Sequence, residues 1–367
     1  MKLGLIINPI AGIGGPAALK GSDGEFIQQE ALRKGSVSHS RERTMAALAA
    51  ISDKEKVTVL TAPGIMGADV AHALGFDVEI IGSIEEKTTD KDTERIASAM
   101  KDCVDLLVFS GGDGTARNIY NAVGDSVPVI GIPAGVKIHS AVYAVSPESA
   151  GEAIQAWLSQ PLTTKDAEVM DIDEDCYRQG ILKARLYGYM KIPVLRGRMQ
   201  NPKAASHNSD EDVAGICHEI KERIQENPED TLYILGAGST LRHIKRSLGF
   251  EGSLIGVDLY ANGQLIAEDL SEPELMSHIG GRNCKLIVTA IGGQGHIFGR
   301  GNQQLSPQVI RAVGINNIWV AATGSKIFAL PNQQLYVDTG DEKLDEELRG
   351  YMKVINGWQE TLICKVL

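Results

Sequence analysis

Short, continuously apolar runs alternate with longer amphipathic segments through the first half of the chain. Four of these runs are LGLII (3–7), KVTVLTAPG (56–64), VDLLVFS (104–110) and VPVIGIP (127–133). Their length and composition are typical of buried strands, whereas intervening segments such as RERTMAALAAI have helical spacing. Strands that are apolar throughout and separated by helices predict a doubly wound parallel sheet, and therefore an α/β fold.

The pattern changes in the second half of the chain. The segment ARLYGYMKIPVL (184–195) alternates between apolar and polar residues, as strands of antiparallel sheets do. Asn262-Gly263 is a hairpin-type turn signal between two further apolar runs. We therefore predict a second, mixed α/β and strand-rich domain. The predicted boundaries are 1–155 for the first domain, 156–340 for the second and 341–367 for a C-terminal closing segment.

Composition narrows the classes of partner. The 367 residues include 36 Lys and Arg against 47 Asp and Glu, so the formal net charge of −11 repels nucleic acids and anionic membranes. Neither is expected as a partner. The five cysteines lie far apart without a CxxC pair, which disfavours a disulfide framework or a zinc cluster. The chain opens with a strand and contains no run of membrane-spanning length, so a cytoplasmic location is expected.

The strongest candidate for chemistry is the stretch FSGGDGTARNI at 109–119. A glycine turn between a buried strand and a helix N-terminus attracts phosphate. An acid such as Asp113 suits that position if it binds a metal ion or accepts a proton. Phosphoryl transfer requires both a metal ion and a proton acceptor. Thr115 can donate to a phosphate oxygen. The alternative is structural, because Gly-Asp-Gly also makes a good tight turn.

A second loop, IPAGVKIHSA, follows the strand VPVIGIP. Carboxyl ends of neighbouring strands in a doubly wound sheet face one crevice, so Lys137, His139 and Ser140 are expected beside Asp113. Lys137 supplies the local positive charge that an anionic substrate needs in an acidic protein, and His139 can hydrogen-bond phosphate or ribose. The alternatives are a solvated surface lysine and a structural histidine.

Two further glycine loops occur in the second half. GAGST (236–240) follows a strand and opens a helix that carries Arg242, His243, Lys245 and Arg246, a phosphate-site pattern that is also compatible with a plain strand–helix turn. GGQGHIFGRGN (292–302) lets the backbone approach a ligand. The nucleotide-binding residues predicted from these loops are Gly236, Gly238, Ser239, Thr240, Gly292, Gly293, Gln294, Gly295, Arg300 and Asn302. The acidic run DIDEDC (171–176) lacks EF-hand spacing, and no metal ligands are assigned.

The GGDGT loop resembles that of the ATP-NAD kinase family, which shares its nucleotide-binding domain with diacylglycerol and sphingosine kinases. The first strand also ends in a glycine-rich Asn-Pro turn, as in that group. Five longer stretches are similar to one branch, the larger ATP-NAD kinase-like proteins of prokaryotes, and extend the resemblance over nearly the whole chain. They are IPAGVKIHSAVYAVSPESAG, LGAGSTLRHI, VDLYANGQLIAEDL, IGGQGHIFGRGNQQLSP and VDTGDEKLDEELRGY.

The resemblance implies a phosphotransferase that makes NADP from NAD and ATP, or another phosphate donor, with Mg²⁺ accompanying ATP. Asp113 would be the general base for the adenosine 2′-hydroxyl, and the second domain would close over the other nucleotide. Homo-oligomers are common in this family, so one is expected here. The residues implied to face phosphate or nucleotide in the first domain are Asn8, Gly111, Gly112, Gly114, Thr115 and Asn118. The better-known NAD kinases grip ribose through an Asn-Glu pair, but Asn118 and Asn121 here have no adjacent acid.

Three other functions fit parts of the pattern. Kinases of lipids or small polyols share the Asn-Pro turn and the GGDGT-like loop, although a net charge of −11 disfavours an anionic membrane surface. A nucleotide sensor would bind without transfer. An oxidoreductase would use GAGST as its cofactor loop, with Asp258 near the spacing of about 20 residues that the dinucleotide fingerprint requires, but GxGxxG is absent there.

Overall fold

A computed structural model describes residues 1–19, 22, 24–85, 87–136, 138–160, 162–172, 184–195, 197–200 and 210–367. Contacts between residues divide the chain into two compact units. The first comprises Met1–Ile13 and Gly21–Pro202, and the second comprises Gly14–Lys20 and Lys203–Leu367.

The first unit is built on a parallel sheet. Its strands are β1 (Lys2–Ile7), β2 (Thr58–Thr61), β3 (Asp77–Ile80), β4 (Leu106–Gly111) and β5 (Val129–Pro133). Its helices are α1 (Glu25–Arg33), α2 (Ser40–Ala49), α3 (Ala68–Ala73), α4 (Asp90–Met100), α5 (Asp113–Val123) and α6 (Pro147–Ser159). Within the described residues the order is β3-β2-β1-β4-β5 with every pair parallel, which confirms the predicted sheet.

The centre of this sheet explains why its strands are apolar. All of β4 and all of β1 after Lys2 are buried, so both strands contribute side chains to the core on both faces. Their register aligns Ile7 with Ser110, and β5 aligns Pro133 with Gly111. The loops that follow β1, β4 and β5 therefore leave the sheet at one edge, where the strand order reverses. Ligands of open α/β sheets bind at such a point.

An antiparallel pair completes the first unit. The strands β6 (Thr164–Ile172) and β7 (Ala184–Pro193) pair along their length, which confirms the prediction for 184–195. They pack against α5 and β5. The acidic run 171–176 lies largely outside the described residues.

The second unit contains a larger, mixed sheet. Its strands are β8 (Leu232–Leu235), β9 (Asp258–Ala261), β10 (Gln264–Ala267), β11 (Cys284–Val288), β12 (Ile318–Ala321), β13 (Gly350–Gly357) and β14 (Glu360–Val366). Its helices are α7 (Asp210–Glu226), α8 (Ser239–Ser247), α9 (Glu272–Ile279), α10 (Pro307–Val313), α11 (Gly324–Phe328) and α12 (Glu342–Leu348). In the described chain the order is β10-β9-β8-β11-β12-β13-β14.

This second sheet combines both strand directions. β8, β11, β12 and β13 run parallel, and the remaining pairings are antiparallel, so the predicted mixed class is confirmed. Asn262 and Gly263 join β9 to β10 with φ angles of 51° and 75°, as a primed hairpin turn requires. The run QLYVDT (334–339) has the composition of a strand, yet it forms only isolated bridges, from Leu335 and Tyr336.

The end of the chain, predicted as the closing segment 341–367, contains α12 followed by the two antiparallel strands β13 and β14. Among the helices of the described residues, none has the length and apolar character needed to cross a bilayer.

Candidate active site

The turn between β4 and α5 places Asp113 at the start of a helix. Gly112 is the N-cap, and Asp113 is the first helical residue. Gly111 is needed for packing, since a Cβ atom there would lie 2.2 Å from Thr115 Oγ1. The hydroxyl of Tyr143, a residue that forms an isolated bridge to Gly131 of β5, donates to the Gly112 carbonyl at 2.5 Å and so helps to fix the turn. An acid in the first turn also suits the helix dipole.

Four donors hold the Asp113 carboxylate. The backbone N–H of His139 donates to Oδ2 at 2.8 Å, and that of Ser140 donates to Oδ1 at 2.9 Å. The Ser140 hydroxyl donates to Oδ1 at 2.6 Å, while His139 Nδ1 lies 3.1 Å from Oδ2. The hydroxyl of Ser140 also accepts from the Met170 backbone N–H at 2.9 Å. The shared sheet edge thus brings His139 and Ser140 against Asp113, and their contacts fill about four acceptor positions of the carboxylate.

This environment keeps Asp113 ionised. Its side chain retains 11% of its accessible surface, so it lies at the rim of the core. Burial raises the pKa of the carboxyl group, but the hydrogen bonds from His139 and Ser140 and the charge of His139 outweigh it, and the net pKa lies below the usual range. At neutral pH the group is therefore a carboxylate that can only accept hydrogen bonds.

The first loop of the chain meets the GGDGT turn directly. Asn8 Nδ2 donates to Thr115 Oγ1 at 3.0 Å, although the two residues lie 107 positions apart. Asn8 Oδ1 accepts from the Ile10 backbone N–H at 3.2 Å, which fixes the amide orientation. Because Thr115 Oγ1 accepts from Asn8, and donates to no protein acceptor within the described chain, its proton remains available to a ligand.

The start of α2 lies beside these loops and was missed by the sequence analysis. The Ser38 hydroxyl donates to the Ala11 carbonyl at 2.8 Å, and the Ser110 hydroxyl approaches the Ser40 carbonyl at 3.4 Å. Arg43, one turn into α2, donates from Nε to the Pro133 carbonyl. It places a guanidinium next to the end of β5. Arg43 occupies an ordinary polar position of an amphipathic helix, so no sequence pattern distinguished it.

The structure does not test the roles predicted for two residues of the first unit, Asn118 and Lys137. Asn118 is half-buried on α5 and makes no side-chain hydrogen bond within the part of the chain that the structure describes. Lys137 lies outside the described residues. Their proposed contacts with nucleotide stay predictions.

The GAGST loop of the second unit turns tightly onto α8. Gly238 has a φ of 120°, and a Cβ atom there would lie 2.8 Å from Thr289 Cγ2. Gly236 is buried and Ser239 is exposed, while the hydroxyl of Thr240 accepts a hydrogen bond from Lys326 Nζ at 3.0 Å. Lys326, on α11, was not identified from the sequence.

The cations of α8 have other partners than the expected phosphate. Lys245 is fully buried and lies 2.8 Å from the equally buried Asp258. Arg242 and Arg246 pair with Glu251 at the surface. These contacts argue against the oxidoreductase alternative, in which Asp258 would bind a ribose. Besides its ion pair with Lys245, Asp258 accepts hydrogen bonds from the backbone N–H groups of Ser253 and Asp269. That carboxylate is not available to a ribose.

The loop at 292–302 packs closely on residues 334–338. A Cβ atom on Gly295 would lie 2.8 Å from the Gln334 carbonyl oxygen, and one on Gly299 would lie 1.8 Å from that of Asp338. Arg300 donates to Asp338 at 2.5 Å, in a buried ion pair. Close backbone approach therefore accounts for two of these glycines.

The remaining residues of this loop are partly structural as well. Asn302 stabilises the loop through two hydrogen bonds. Its side chain accepts from the Gly299 backbone N–H at 3.1 Å and donates to the Ile297 carbonyl at 2.9 Å. Gln294 is buried, whereas Gly292 and Gly293 are half-exposed. Contacts of the loop with a nucleotide stay predictions.

The donor set does not form a metal cage. Within the described ranges, no three His, Cys, Asp or Glu side chains are grouped so that they could hold a metal ion. Mg²⁺ in phosphoryl-transfer sites keeps several waters and relies on substrate phosphates with one or two carboxylates. An ion held in that way needs no such cluster, so no side chain is assigned to it.

Comparison with known proteins places these features in a family. The model of the ATP-NAD kinase N-terminal domain matches residues 3–161, and that of the ATP-NAD kinase C-terminal domain matches residues 229–366. No curated protein matches the sequence significantly.

Part of the chain is also similar to solved structures. One described as a diacylglycerol kinase of Bacillus anthracis str. Sterne is 18% identical, with 47% of this chain and 46% of that chain covered and a TM-score of 0.24. Another from the same organism is 17% identical, with 47% and 43% covered and a TM-score of 0.24. The chain spans less than half of each of these proteins, and the TM-scores are too low to support an argument. The two family models together match well over half of the sequence. The chain therefore belongs to the ATP-NAD kinase family.

Proposed function

We propose that this protein is an NAD kinase-like phosphotransferase that transfers the terminal phosphoryl group of ATP to the 2′-hydroxyl of NAD. The two family domains support a kinase of this kind. The observation that carries the proposal is the Asp113 carboxylate, ionised and fixed by two backbone N–H groups at the start of a helix. A base held in that position suits an alcohol acceptor beside bound phosphates.

The acceptor hydroxyl must take a hydrogen-bonding position on Asp113 that is now filled. The two backbone donors are fixed by the loop, and Ser140 Oγ is tied to Met170 as well. His139 Nδ1 has the longest of the four contacts, at 3.1 Å, so it is the weakest of them. The acceptor hydroxyl therefore displaces the imidazole and donates to Oδ2. As its oxygen bonds to phosphorus and the bond from phosphorus to the ADP oxygen breaks, the hydroxyl proton passes to Asp113.

Phosphate oxygens meet several donors at this edge of the sheet. The N-terminus of α5 offers backbone N–H groups after Gly112. The Thr115 hydroxyl is oriented by Asn8 so that its proton can go to an oxygen of the phosphate. Arg43 adds positive charge beside Pro133, which an acidic chain must supply locally. Mg²⁺ bound to ATP would neutralise further charge on the phosphates.

Incubation of the purified protein with NAD, ATP and Mg²⁺ tests this function. We expect chromatography and an NADP-specific dehydrogenase assay to detect NADP. Parallel incubations replace ATP with polyphosphate, or NAD with NADH or a diacylglycerol. Phosphorylation of the lipid without any NADP would assign the protein to the lipid-kinase alternative. Failure to transfer phosphate to any acceptor, together with retained nucleotide binding, would support a sensor.

A further inference from the structure

The second unit contains a cavity between two of its helices. α7 and α8 contribute Ile216, Ile220 and Ile244 to one hydrophobic cluster. Side chains of the same two helices line an open cavity of about 410 Å³. Sites for small molecules typically have volumes of about 300–1,000 Å³, so this cavity is large enough for an organic ligand of modest size.

Helical spacing brings the side chains of this cavity together. Val213, Cys217 and Lys221 follow one another at intervals of four residues on α7, and His243 and Ser247 do so on α8. Residues four positions apart lie on the same face of a helix. All five residues line the cavity, so each helix presents one face to it.

The lining is basic, although the chain as a whole has a formal net charge of −11. Lys221, His218 and His243 line the cavity, and no acidic side chain does so within the described residues. His218 Nε2 lies 3.4 Å from Glu222 Oε1. Lys221 and His243 form no hydrogen bond or ion pair in the part of the chain that the structure describes. Positive charge concentrated in a cleft attracts an anion.

The rest of the lining is largely apolar. Val213 is buried. Burial raises the pKa of the Cys217 thiol despite its hydrogen bond with Ser247, so the thiol is uncharged at neutral pH. The Ser247 hydroxyl donates to the Ile244 carbonyl at 2.7 Å, so its proton is not offered to the cavity. A ligand that suits these walls has an apolar body as well as an anionic group.

We propose that this cavity binds a small organic anion, with its phosphate or carboxylate group at Lys221 and His243 and its apolar body against Val213 and Ala214. Lysine supplies a compact positive charge, and histidine supplies a hydrogen-bond donor that carries charge when it is protonated. Phosphate and carboxylate oxygens accept from both groups. This site lies within the second unit and does not depend on the kinase proposed above.

Calorimetry on the full-length protein tests the site with 1-naphthyl phosphate, 1-naphthoate and the uncharged 1-naphthol. We expect both anions to bind more tightly than 1-naphthol, and the tighter anion identifies the preferred head group. A bound anion should also slow the alkylation of Cys217 by iodoacetamide, which peptide mass spectrometry measures. Because Cys217 lines the cavity, this protection distinguishes binding here from binding at the proposed kinase site.

Three variants separate the site from general effects of charge. Lys221→Gln should weaken binding of the preferred anion about fivefold, and His243→Gln about two- to threefold, because each removes a partly exposed partner of the anion. Both side chains are exposed, so both variants should fold. Lys343→Gln, which removes an exposed lysine of α12, should leave binding unchanged.

Three results would each overturn the proposal. The first is that neither anion protects Cys217 from alkylation. The second is that 1-naphthol binds as tightly as the anions. The third is that the variants of Lys221 and His243 bind both anions as the wild type does, or no more weakly than the Lys343 variant.

Discussion

Asp113→Asn is expected to lower the rate of NADP formation by about 10²- to 10⁴-fold, because the variant cannot accept the proton of the acceptor hydroxyl. The affinity for ATP should change by no more than a few-fold, since the phosphate donors of the turn remain. Steady-state kinetics with NAD and ATP, combined with calorimetric binding of ATP, measures both quantities. A variant that retains wild-type turnover would remove Asp113 from the chemistry.

The control must account for the structural role of the carboxylate. Asp113 accepts from two backbone N–H groups, and an asparagine amide can accept at only one of its two positions. Part of any loss therefore reflects a looser loop. Ser140→Ala removes one side-chain donor but keeps the base and both backbone bonds. We expect it to retain more than about a tenth of the wild-type turnover, because the general base and its two backbone hydrogen bonds remain.

Asp258→Asn is expected to destabilise the second unit by about 3–5 kcal/mol, because it leaves the buried Lys245 without its counter-charge. Burial already lowers the pKa of Lys245 despite the attraction of Asp258. Without that attraction the pKa falls further, so at pH values between this lowered pKa and the ordinary pKa of lysine the unfolded chain binds more protons than the folded variant. The stability of the variant should then rise as pH increases. Hydrogen exchange of peptides from β8 and β9, measured across pH, tests this.

Two further variants distinguish the ion pair from simple loss of a side chain. Glu251→Gln breaks the exposed pair with Arg246 in the same unit and should have little effect. The double variant Lys245→Met with Asp258→Asn removes the buried charge, so it should be more stable than Asp258→Asn alone. A double variant as unstable as the single one would show that the carboxylate matters for Ser253 and Asp269 rather than for Lys245.

Much of the fold follows from local signals. Continuous apolar runs predicted the parallel strands of the first unit, because strands covered on both faces tolerate few polar residues. Asn262-Gly263 predicted the β9–β10 hairpin through the positive φ angles that both residues adopt. The run QLYVDT has the composition of a strand, but composition does not specify a strand with which to pair. In the structure Leu335 meets the end of β14 and Tyr336 meets His296, so only isolated bridges form.

The candidate site was only partly accessible from the sequence. GGDGT identified Asp113, and the shared edge of the sheet implied that His139 and Ser140 lie nearby. The four hydrogen bonds on the carboxylate were not foreseeable, since their donors lie 26 and 27 residues away. The sequence therefore predicted the acid and its neighbours, but not that four donors would fill the acceptor positions of its carboxylate.

In the second unit, residue type alone was a poor indicator of a residue's role. Lys245 was interpreted as a cation facing phosphate, yet it follows Leu241 by four residues and so lies on the buried face of α8. That spacing was a usable signal. Gly295, which stays a predicted nucleotide contact, and Gly299 have a structural role that the sequence did not reveal, since they let the loop approach residues 334–338. Lys326 lies 86 residues from Thr240, so only the three-dimensional structure relates them.

A crystal structure of the protein with NAD and a non-hydrolysable ATP analogue tests the central claim most directly. The quantity to measure is the distance from the adenosine 2′-oxygen of NAD to the Asp113 carboxylate. We predict about 2.6–3.2 Å to Oδ2, with the His139 imidazole displaced. A 2′-oxygen beyond hydrogen-bonding distance, with all four protein donors still on Asp113, would contradict the account.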